Sequence, residues 1–252
     1  MPKLLVLGSS SAVADDEHQN THLAVIGRQR ILMIDCPCTP ILRLKQAGLP
    51  LDHLHDLILT HFHPDHVSGV PLMIMNLWLL GRKSPLNIYG LEDTLERLKK
   101  VLDLFEWSAW SGMFAVNFRT IPAKEMALVL EDVEWRVFAS PVRHLIPNIG
   151  LRIEFTERQK SLVYSSDTEP CPEIVRLARE ADVLLHEAAG KHSGHSDAYQ
   201  AGEIARQANA KRLILIHYSR LDSGSEALVI DAQRSYTGRV DLADDFMEID
   251  FH

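Results

Sequence analysis

Apolar residues recur along the chain in short runs that are bounded by polar or turn-forming residues. Runs of this kind, rich in valine, isoleucine and leucine, predict β-strands. Strands are predicted over 3–8, 22–27, 31–36, 56–61, 86–90, 134–140, 149–155, 161–167, 182–187 and 212–218, with a last one near 244–250.

Other segments place apolar residues at the three- and four-residue spacing of an amphipathic helix, as in EDTLERLKKVLDLFE. The first helical segment stops at Gly48, before Pro50. Helices are predicted over 39–48, 67–80, 92–106, 172–181, 197–209 and 225–235. Because helices come between groups of strands in both halves, the pattern favours a layered α/β or α+β sandwich that begins with antiparallel strands.

The 252 residues contain no proline- or glycine-rich linker, no low-complexity tract and no repeat of fixed period. A hydrophobic content of 46% supports a large buried core. We therefore expect one domain over residues 1–252.

The longest apolar segments, such as PLMIMNLWLLG, are shorter than a membrane span. The N-terminus MPKLLVLGSSS turns polar after one strand and lacks a secretory pattern. These features predict a cytoplasmic protein without a membrane partner. The net charge of −8 and the scattered basic residues give no indication of a surface that grips a nucleic-acid backbone.

Histidine is frequent, with 13 residues, and three of them lie in LTHFHPDHVSGV. His61 and His63 would point the same way from an extended segment, and Asp65 and His66 would follow from the turn into the next helix. This is a cluster of potential metal ligands. Other histidines lack such a context and are predicted on the surface: His18, His22, His53, His55 and His252.

Four apolar runs each deliver a metal-type ligand at or just past their C-terminal end. We expect these side chains to converge at one edge of the sheets, where α/β folds commonly assemble ligand sites. Nitrogen and carboxylate ligands without a thiolate suit zinc, and they also accept manganese or iron. The four residues are His61, His144, Asp167 and His217.

These residues resemble the metallo-β-lactamase fold hydrolases and, within them, the ribonuclease Z-like branch of phosphodiesterases, over essentially the whole chain. THFHPDHVSG resembles the HxHxDH signature of that family. Further segments resemble others of the branch: VLGSSSAV with NTHL, LMIDCPCTP, SPVRHLIPNIGLRIE, VYSSDT, ADVLLHEAA, GHSDAYQAGEIARQA and LILIHYS. The fold that the resemblance implies is a four-layer αββα sandwich.

The resemblance also implies two divalent metal ions, each held by three side chains, with one aspartate bridging them. The first set is His61, His63 and His144, the second is Asp65, His66 and His217, and the bridge is Asp167. Such ions would generate a bridging hydroxide that attacks a phosphodiester, with Asp65 positioning it.

His195 in GHSD is implied to stabilise or protonate the departing oxygen, which imidazole suits near neutral pH. Glu187 would orient or protonate His195 from behind, and Asp35 is expected to support the site in a similar way. Two alternatives stay open: Asp167 and His195 could be helix caps. His192 is a further candidate for a substrate contact.

The chain departs from the branch in three places. The interval between His144 and Asp167 is too short for the long arm with which many tRNA-processing members clamp their substrate. DCPCTP replaces a segment that usually contains glycine and glutamate, and GHSD has aspartate where threonine is usual. None of these changes removes a predicted ligand.

We therefore predict a metal-dependent hydrolase that cleaves phosphodiester bonds in a small or single-stranded substrate, RNA included. The alternatives are a tRNA 3′-end endonuclease (ribonuclease Z), a thioesterase or lactonase with an apolar pocket around EWSAWSGMF, and a metal-dependent binding module without turnover. The aromatic segment 105–118 has three interpretations: core packing, a wall of the substrate cleft, or the interface of a homodimer.

Overall fold

The computed structural model describes residues 2–219 and 225–251, and two seven-stranded sheets form its centre. The first sheet has the order β14-β1-β2-β3-β4-β5-β6. Its strands β1 to β3 are antiparallel, as predicted, and β3 to β6 are parallel. The strands are β1 (Lys3–Gly8), β2 (His22–Ile26), β3 (Ile31–Ile34), β4 (Leu54–Ile58), β5 (Leu86–Gly90), β6 (Val116–Thr120) and β14 (Glu248–Asp250).

The second sheet has the order β13-β12-β11-β10-β9-β8-β7. Its strands from β7 to β10 are antiparallel, and those from β10 to β13 are parallel. The strands are β7 (Ala127–Glu131), β8 (Trp135–Val142), β9 (Asn148–Phe155), β10 (Lys160–Tyr164), β11 (Val183–Glu187), β12 (Arg212–Ile216) and β13 (Arg239–Leu242).

Helices cover the outer face of each sheet. They are α1 (Pro40–Gln46), α2 (Pro64–Val67), α3 (Val70–Leu79), α4 (Glu92–Leu104), α5 (Pro172–Leu177), α6 (Ala198–Gln207) and α7 (Ser225–Gln233). Short 3₁₀ helices lie at Leu51–His53 and Trp107–Ala109. None of the helices in the described ranges is both long enough and apolar enough to cross a bilayer.

Alternate residues along each strand face opposite sides of the sheet, which separates an inner core from an outer core. In β3, Leu32 and Ile34 face the core between the two sheets, whereas Met33 faces the helices on the outside. A third cluster packs α5 and α6 against the second sheet. Because the inner strands are buried on both faces, their sequences are continuously apolar. The predicted four-layer αββα sandwich is confirmed.

The sequence prediction missed three strands, β6, β7 and β13. Each lies at a sheet edge. β6 and β13 carry exposed polar residues and no apolar run marks them. β7 does coincide with an apolar run, MALVL, which the prediction left unassigned. The predicted helix 67–80 is two helices, α2 and α3, each of which begins with a proline in its first turn. Between the two helices, Gly69 packs against the backbone of Pro37: a Cβ at this position would lie 2.7 Å from the Pro37 carbonyl oxygen.

The prediction that His18 and His22 lie on the surface is wrong, because both are buried. His18 bonds to Asp15 and Asp244 through its two ring nitrogens, and His22 bonds through Nδ1 to the Asn20 carbonyl. His53 and His55 are half-buried, and His252 lies outside the described residues.

Candidate metal centre

The predicted ligands converge where the carboxyl ends of the parallel strands meet. β4 leads into His61, β10 leads to Asp167, and β12 is followed by His217. The turn between β8 and β9 contributes His144, and the start of α2 contributes Asp65 and His66. The structure brings all seven residues into neighbouring groups whose ligand atoms lie within 4.8 Å of one another.

Three imidazoles form the first group. His61 Nε2 lies 3.0 Å from His63 Nδ1, and His144 Nε2 lies 3.1 Å from the same atom. The rings meet edge to face. Asp167 completes this group from the buried side of the site.

Asp65, His66 and His217 form the second group. The Oδ2 atom of Asp167 lies 3.5 Å from His66 Nε2 and 3.4 Å from His217 Nε2. The same oxygen is 3.8 Å from His61 Nε2 in the first group. One carboxylate therefore lies within reach of both groups.

The donor atoms of this site fit divalent cations. His66 Nε2 and Asp167 Oδ1 are buried and have no hydrogen-bond partner among the described residues. Buried polar atoms are normally satisfied, so atoms of this kind point to a group that completes them. Imidazole nitrogen and carboxylate oxygen are the ligands that zinc accepts, and also manganese and iron.

Hydrogen bonds on the far ring nitrogens set the orientation of the histidines. His66 Nδ1 donates to Asp35 Oδ2 at 2.8 Å, and Asp35 also accepts the Thr60 amide at 2.9 Å. His144 Nδ1 donates to the Gly194 carbonyl at 2.7 Å. The carboxylate and carbonyl acceptors require Nδ1 to carry the proton, which leaves Nε2 of both rings as the ligand atom.

Burial and mutual charge shift the titration of the cluster. Burial and the neighbouring His66 lower the pKa of His61 well below its ordinary value. Although burial opposes a charge, Asp167 and Asp35 hold the pKa of His66 well above its ordinary value. Against the effect of burial, His217 and His66 hold the pKa of Asp167 well below its usual range. A negative carboxylate at the centre is therefore the stable form.

His195 lies beside the two groups, as predicted. Its ring centroid is 5.0 Å from that of His144 and 6.1 Å from that of His217. His195 Nδ1 lies 3.0 Å from Glu187 Oε1, and buried Glu187 also accepts the Thr168 amide. The bond to Glu187 engages Nδ1 and leaves Nε2 available to a substrate.

The His195 and Glu187 pair holds a proton near neutral pH. Burial raises the pKa of Glu187 to about 7. Burial opposes a charge on His195, but its hydrogen bond to Glu187 and the charge of Glu187 raise its pKa above the ordinary value. The contact with Glu187 therefore favours the protonated form of His195, which is the form that can donate a proton.

The helix-cap alternatives are wrong for both residues. The N-cap of α5 is Cys171, four residues beyond Asp167. The N-cap of α6 is Asp197, whose side chain accepts the Gln200 amide in a capping box. His192 is exposed at the tip of the loop before His195, and its role as a substrate contact stays a prediction.

The aromatic segment 105–118 packs mainly against the outer core of the first sheet. Phe114 is buried there, and Trp107, Trp110 and Met113 are partly buried in the same cluster. An apolar cavity of about 350 Å³ opens beside it. Its lining is Ser68, Pro71, Leu72, Met75, Val101, Phe105 and Trp110, which includes none of the seven predicted ligands.

Four supporting residues had no assigned role in the sequence prediction. Thr60 bonds to Asp35, and Thr21 lies 3.2 Å from His217 Nδ1. Both threonines lie within segments that resemble the branch, and their place in those segments was the one sequence signal that could have identified them. Gly194 and Glu169 bond to each other, and Glu169 carries no sequence signal.

Comparison with known proteins agrees with this geometry. A family model described as "Anti-Pycsar protein Apyc1" matches residues 2–233. The chain is 28% identical to a ribonuclease Z of Methanothermobacter thermautotrophicus, over 99% of this chain and 97% of that protein.

Solved structures share the fold. The metallo-β-lactamase fold protein YhfI of Bacillus subtilis superimposes with a TM-score of 0.84 at 19% identity, covering 98% of each chain. The short form of human tRNase Z superimposes with a TM-score of 0.81 at 22% identity, covering 99% of each chain. The predicted metallo-β-lactamase fold is confirmed, as is the resemblance to the ribonuclease Z-like branch.

Proposed function

The chain belongs to the anti-Pycsar protein Apyc1 family. From the site geometry and the likeness to ribonuclease Z proteins, we propose that it hydrolyses small phosphodiesters at a centre of two metal ions. It is a metal-dependent hydrolase of the phosphodiesterase or ribonuclease Z type. The observation that carries the proposal is the pair of adjacent ligand groups, with Asp167 Oδ2 within 3.8 Å of a histidine nitrogen in each.

Seven side chains would hold the ions. One set would be His61, His63 and His144, the other Asp65, His66 and His217, with Asp167 common to both. When bound, zinc, manganese or iron would act as a Lewis acid on a phosphoryl oxygen and would acidify water at the site.

The chain's own groups then orient the reactants and move protons. Asp65 would accept a hydrogen bond from the attacking water and so aim it at phosphorus. His195 would donate its Nε2 proton to the departing oxygen, which stabilises the charge that develops as the P–O bond breaks. Glu187, bonded to Nδ1, would hold the ring in that orientation and stabilise its protonated form.

A small substrate fits the chain better than tRNA. β9 and β10, the strands between His144 and Asp167, are joined by a turn of only four residues, 156–159. The alignment with the Methanothermobacter protein spans 306 positions against 252 residues here, so that relative has many residues without a counterpart. The short turn supports the absence of a tRNA-clamping arm between His144 and Asp167.

Hydrolysis of bis(p-nitrophenyl) phosphate by the zinc- or manganese-loaded protein tests the proposal. We expect turnover that falls at least about 100-fold in Asp65→Ala and in His195→Ala, as general acid–base groups of this kind contribute. Asp52→Ala and His53→Ala change residues of the same types away from the site and should keep wild-type rates. Wild-type protein that binds metal but gives no turnover would contradict the proposal.

The same preparation separates the alternatives. Cleavage of a precursor tRNA beside its discriminator base would assign a tRNA 3′-end endonuclease. Turnover of thioesters or lactones alone would assign a thioesterase or lactonase. The apolar cavity near Trp110 supports that activity. Metal binding without turnover of any ester would indicate a binding module.

We also propose that the protein is a homodimer, that residues 1–252 form one domain, and that it acts in the cytoplasm. Exposed apolar side chains on the outer helices of the first sheet support the dimer: Leu72, Leu79, Leu80, Leu104 and Phe105. The core that both sheets share supports the single domain. Sedimentation equilibrium of the wild type and of Leu72→Asp tests the dimer, which predicts a loss of dimer mass in the variant.

A further inference from the structure

Residues 189–196 lie in the loop that connects β11 to α6. This loop carries His195, and its Gly194 carbonyl contacts the predicted ligand His144. Backbone hydrogen bonds shape the loop internally: Gly190 N–H donates to the Ser196 carbonyl at 3.0 Å, and His195 N–H donates to the His192 carbonyl at 3.1 Å. Its tip, residues 191–193, is exposed. The internal bonds define the shape of the loop but do not place it relative to the histidines.

Gly194 is the residue at which the loop meets the centre. Its carbonyl accepts the Nδ1 proton of His144, and its amide donates to Glu169 Oε1 at 2.8 Å. With φ of +83°, Gly194 adopts a backbone conformation that other residues rarely adopt, and a Cβ there would lie 2.9 Å from His144 Nδ1. The loop therefore contacts His144 through the backbone of Gly194, and the amide of the same residue is bonded to Glu169.

Glu169 is itself tied to two ligand-bearing segments. It follows Asp167 by two residues, and its own amide donates to the Arg143 carbonyl at 2.8 Å, next to His144. Glu169, which is half-buried, thus links to the segment of the third histidine through its backbone amide and to the loop of His195 through its carboxylate. Bonds between an ionised carboxylate and an amide are stronger than neutral ones.

We propose that Glu169 is a positioning residue of this centre. By accepting the Gly194 amide proton, it fixes the loop so that the Gly194 carbonyl orients His144 and the adjoining His195 faces the ligand groups. This inference rests on the proposed function for the roles of His144 and His195. It adds to that function a residue that touches neither the proposed ions nor the substrate.

Glu169→Ala and Glu169→Gln, with Glu173→Ala as the matched control, test the proposal. Glutamine keeps a side-chain oxygen that can accept the Gly194 proton, so it should restore most of what alanine loses. Glu173 lies four residues further along the chain and pairs with Arg176 at the surface, whereas Glu169 bonds to the Gly194 amide.

Two measurements do not depend on turnover. In Glu169→Ala we expect faster hydrogen–deuterium exchange in the peptide that covers 189–196, and zinc affinity about 10- to 100-fold weaker in chelator competition, as for other residues that orient metal ligands. Exchange and zinc affinity equal to those of Glu173→Ala would overturn the proposal. These readouts decide it even if the wild type hydrolyses no phosphodiester, an outcome that would sink only the proposed function.

A third measurement separates positioning from a general loss of folding. We expect Glu169→Ala to lower kcat more for diphenyl phosphate than for bis(p-nitrophenyl) phosphate, because phenolate leaves poorly and needs the proton of a well-placed His195. A uniform loss for both esters would contradict the role of Glu169 in placing His195.

Discussion

Histidines around the centre are oriented by hydrogen bonds to the ring nitrogen that faces away from the centre. Asp35 illustrates this arrangement, because it is fully buried and joins His66 Nδ1 to both the amide and the hydroxyl of Thr60. Its φ of +60° belongs to the left-handed region, which aspartate and asparagine tolerate better than most residues. The residue thus fits an unusual backbone position and a histidine at once.

Replacement of Asp35 by asparagine should weaken zinc binding about 10- to 100-fold, since the amide keeps the shape but loses the charge that supports His66. Chelator competition measures this affinity. Asp56→Asn is the matched control, because Asp56 is equally buried but pairs with Arg30 instead of a site histidine. Equal zinc affinities for the wild type and Asp35→Asn would contradict the role assigned to Asp35.

Two buried histidines outside the predicted ligand set make stability depend on pH. Burial lowers the pKa of His22 and of His186 to about 4, from 6.5 for an exposed histidine. Between these values the unfolded chain takes up protons that the folded protein does not, so the free energy of unfolding falls as the pH falls from 6.5 to 4. Each histidine contributes about 3 kcal/mol to that loss.

Urea unfolding of the metal-free protein at pH 7 and pH 5 checks this expectation. His22→Asn and His186→Asn remove the titration but keep a side-chain nitrogen near Nδ1, which bonds to a carbonyl in both cases. Each variant should lose less stability than the wild type between the two pH values. An unchanged difference would show that neither group stays neutral on folding.

At the scale of elements, the start of α6 explains one departure from the related branch. Asp197 stands where that branch usually has threonine, and it caps α6 in a capping box with Gln200. Aspartate and threonine both accept an amide proton at a helix N-cap, so the exchange preserves the helix start that follows His195.

Asp197→Ala should therefore lower the free energy of unfolding by about 1 kcal/mol, whereas Asp197→Thr should stay close to the wild type. The urea midpoint of each variant measures the change. A loss of equal size in both variants would indicate that the aspartate has a role beyond the helix cap.

At the scale of the whole molecule, the centre joins the two halves of the sandwich. His61, His63 and His66 follow β4 of the first sheet, whereas Asp167 and His217 follow β10 and β12 of the second. A cation bound by both sets would link the sheets in the folded state and would find no such site in the unfolded chain. Binding of that kind stabilises the fold by mass action.

Zinc at roughly 100 times its Kd should add about 2.7 kcal/mol to the free energy of unfolding, and excess chelator should remove this gain. For a chain of this size the melting temperature should rise by roughly 5 to 10 °C. Asp167→Asn should lose most of the response, and His53→Ala should keep it. A melting temperature that does not change when zinc is added would argue against a metal centre between the sheets.

The sequence alone determined the buried strands, the layered class and the set of predicted metal ligands. The apolar runs of β3, β4 and β12 and the HxHxDH spacing at His61 depend on local composition and periodicity, which a linear chain displays directly. Edge strands such as β6 and β13 escaped prediction because exposed polar residues leave no such pattern.

The tertiary structure alone decided the distances within the predicted site and the contacts that support it. Asp167 lies within 4 Å of His61, His66 and His217, residues from both halves of the chain. The burial of His18 and His22, and the bond between Glu169 and Gly194, likewise depend on segments far apart in sequence. Such contacts form when the two sheets pack, and no local pattern of residues specifies which backbone will lie opposite a given side chain.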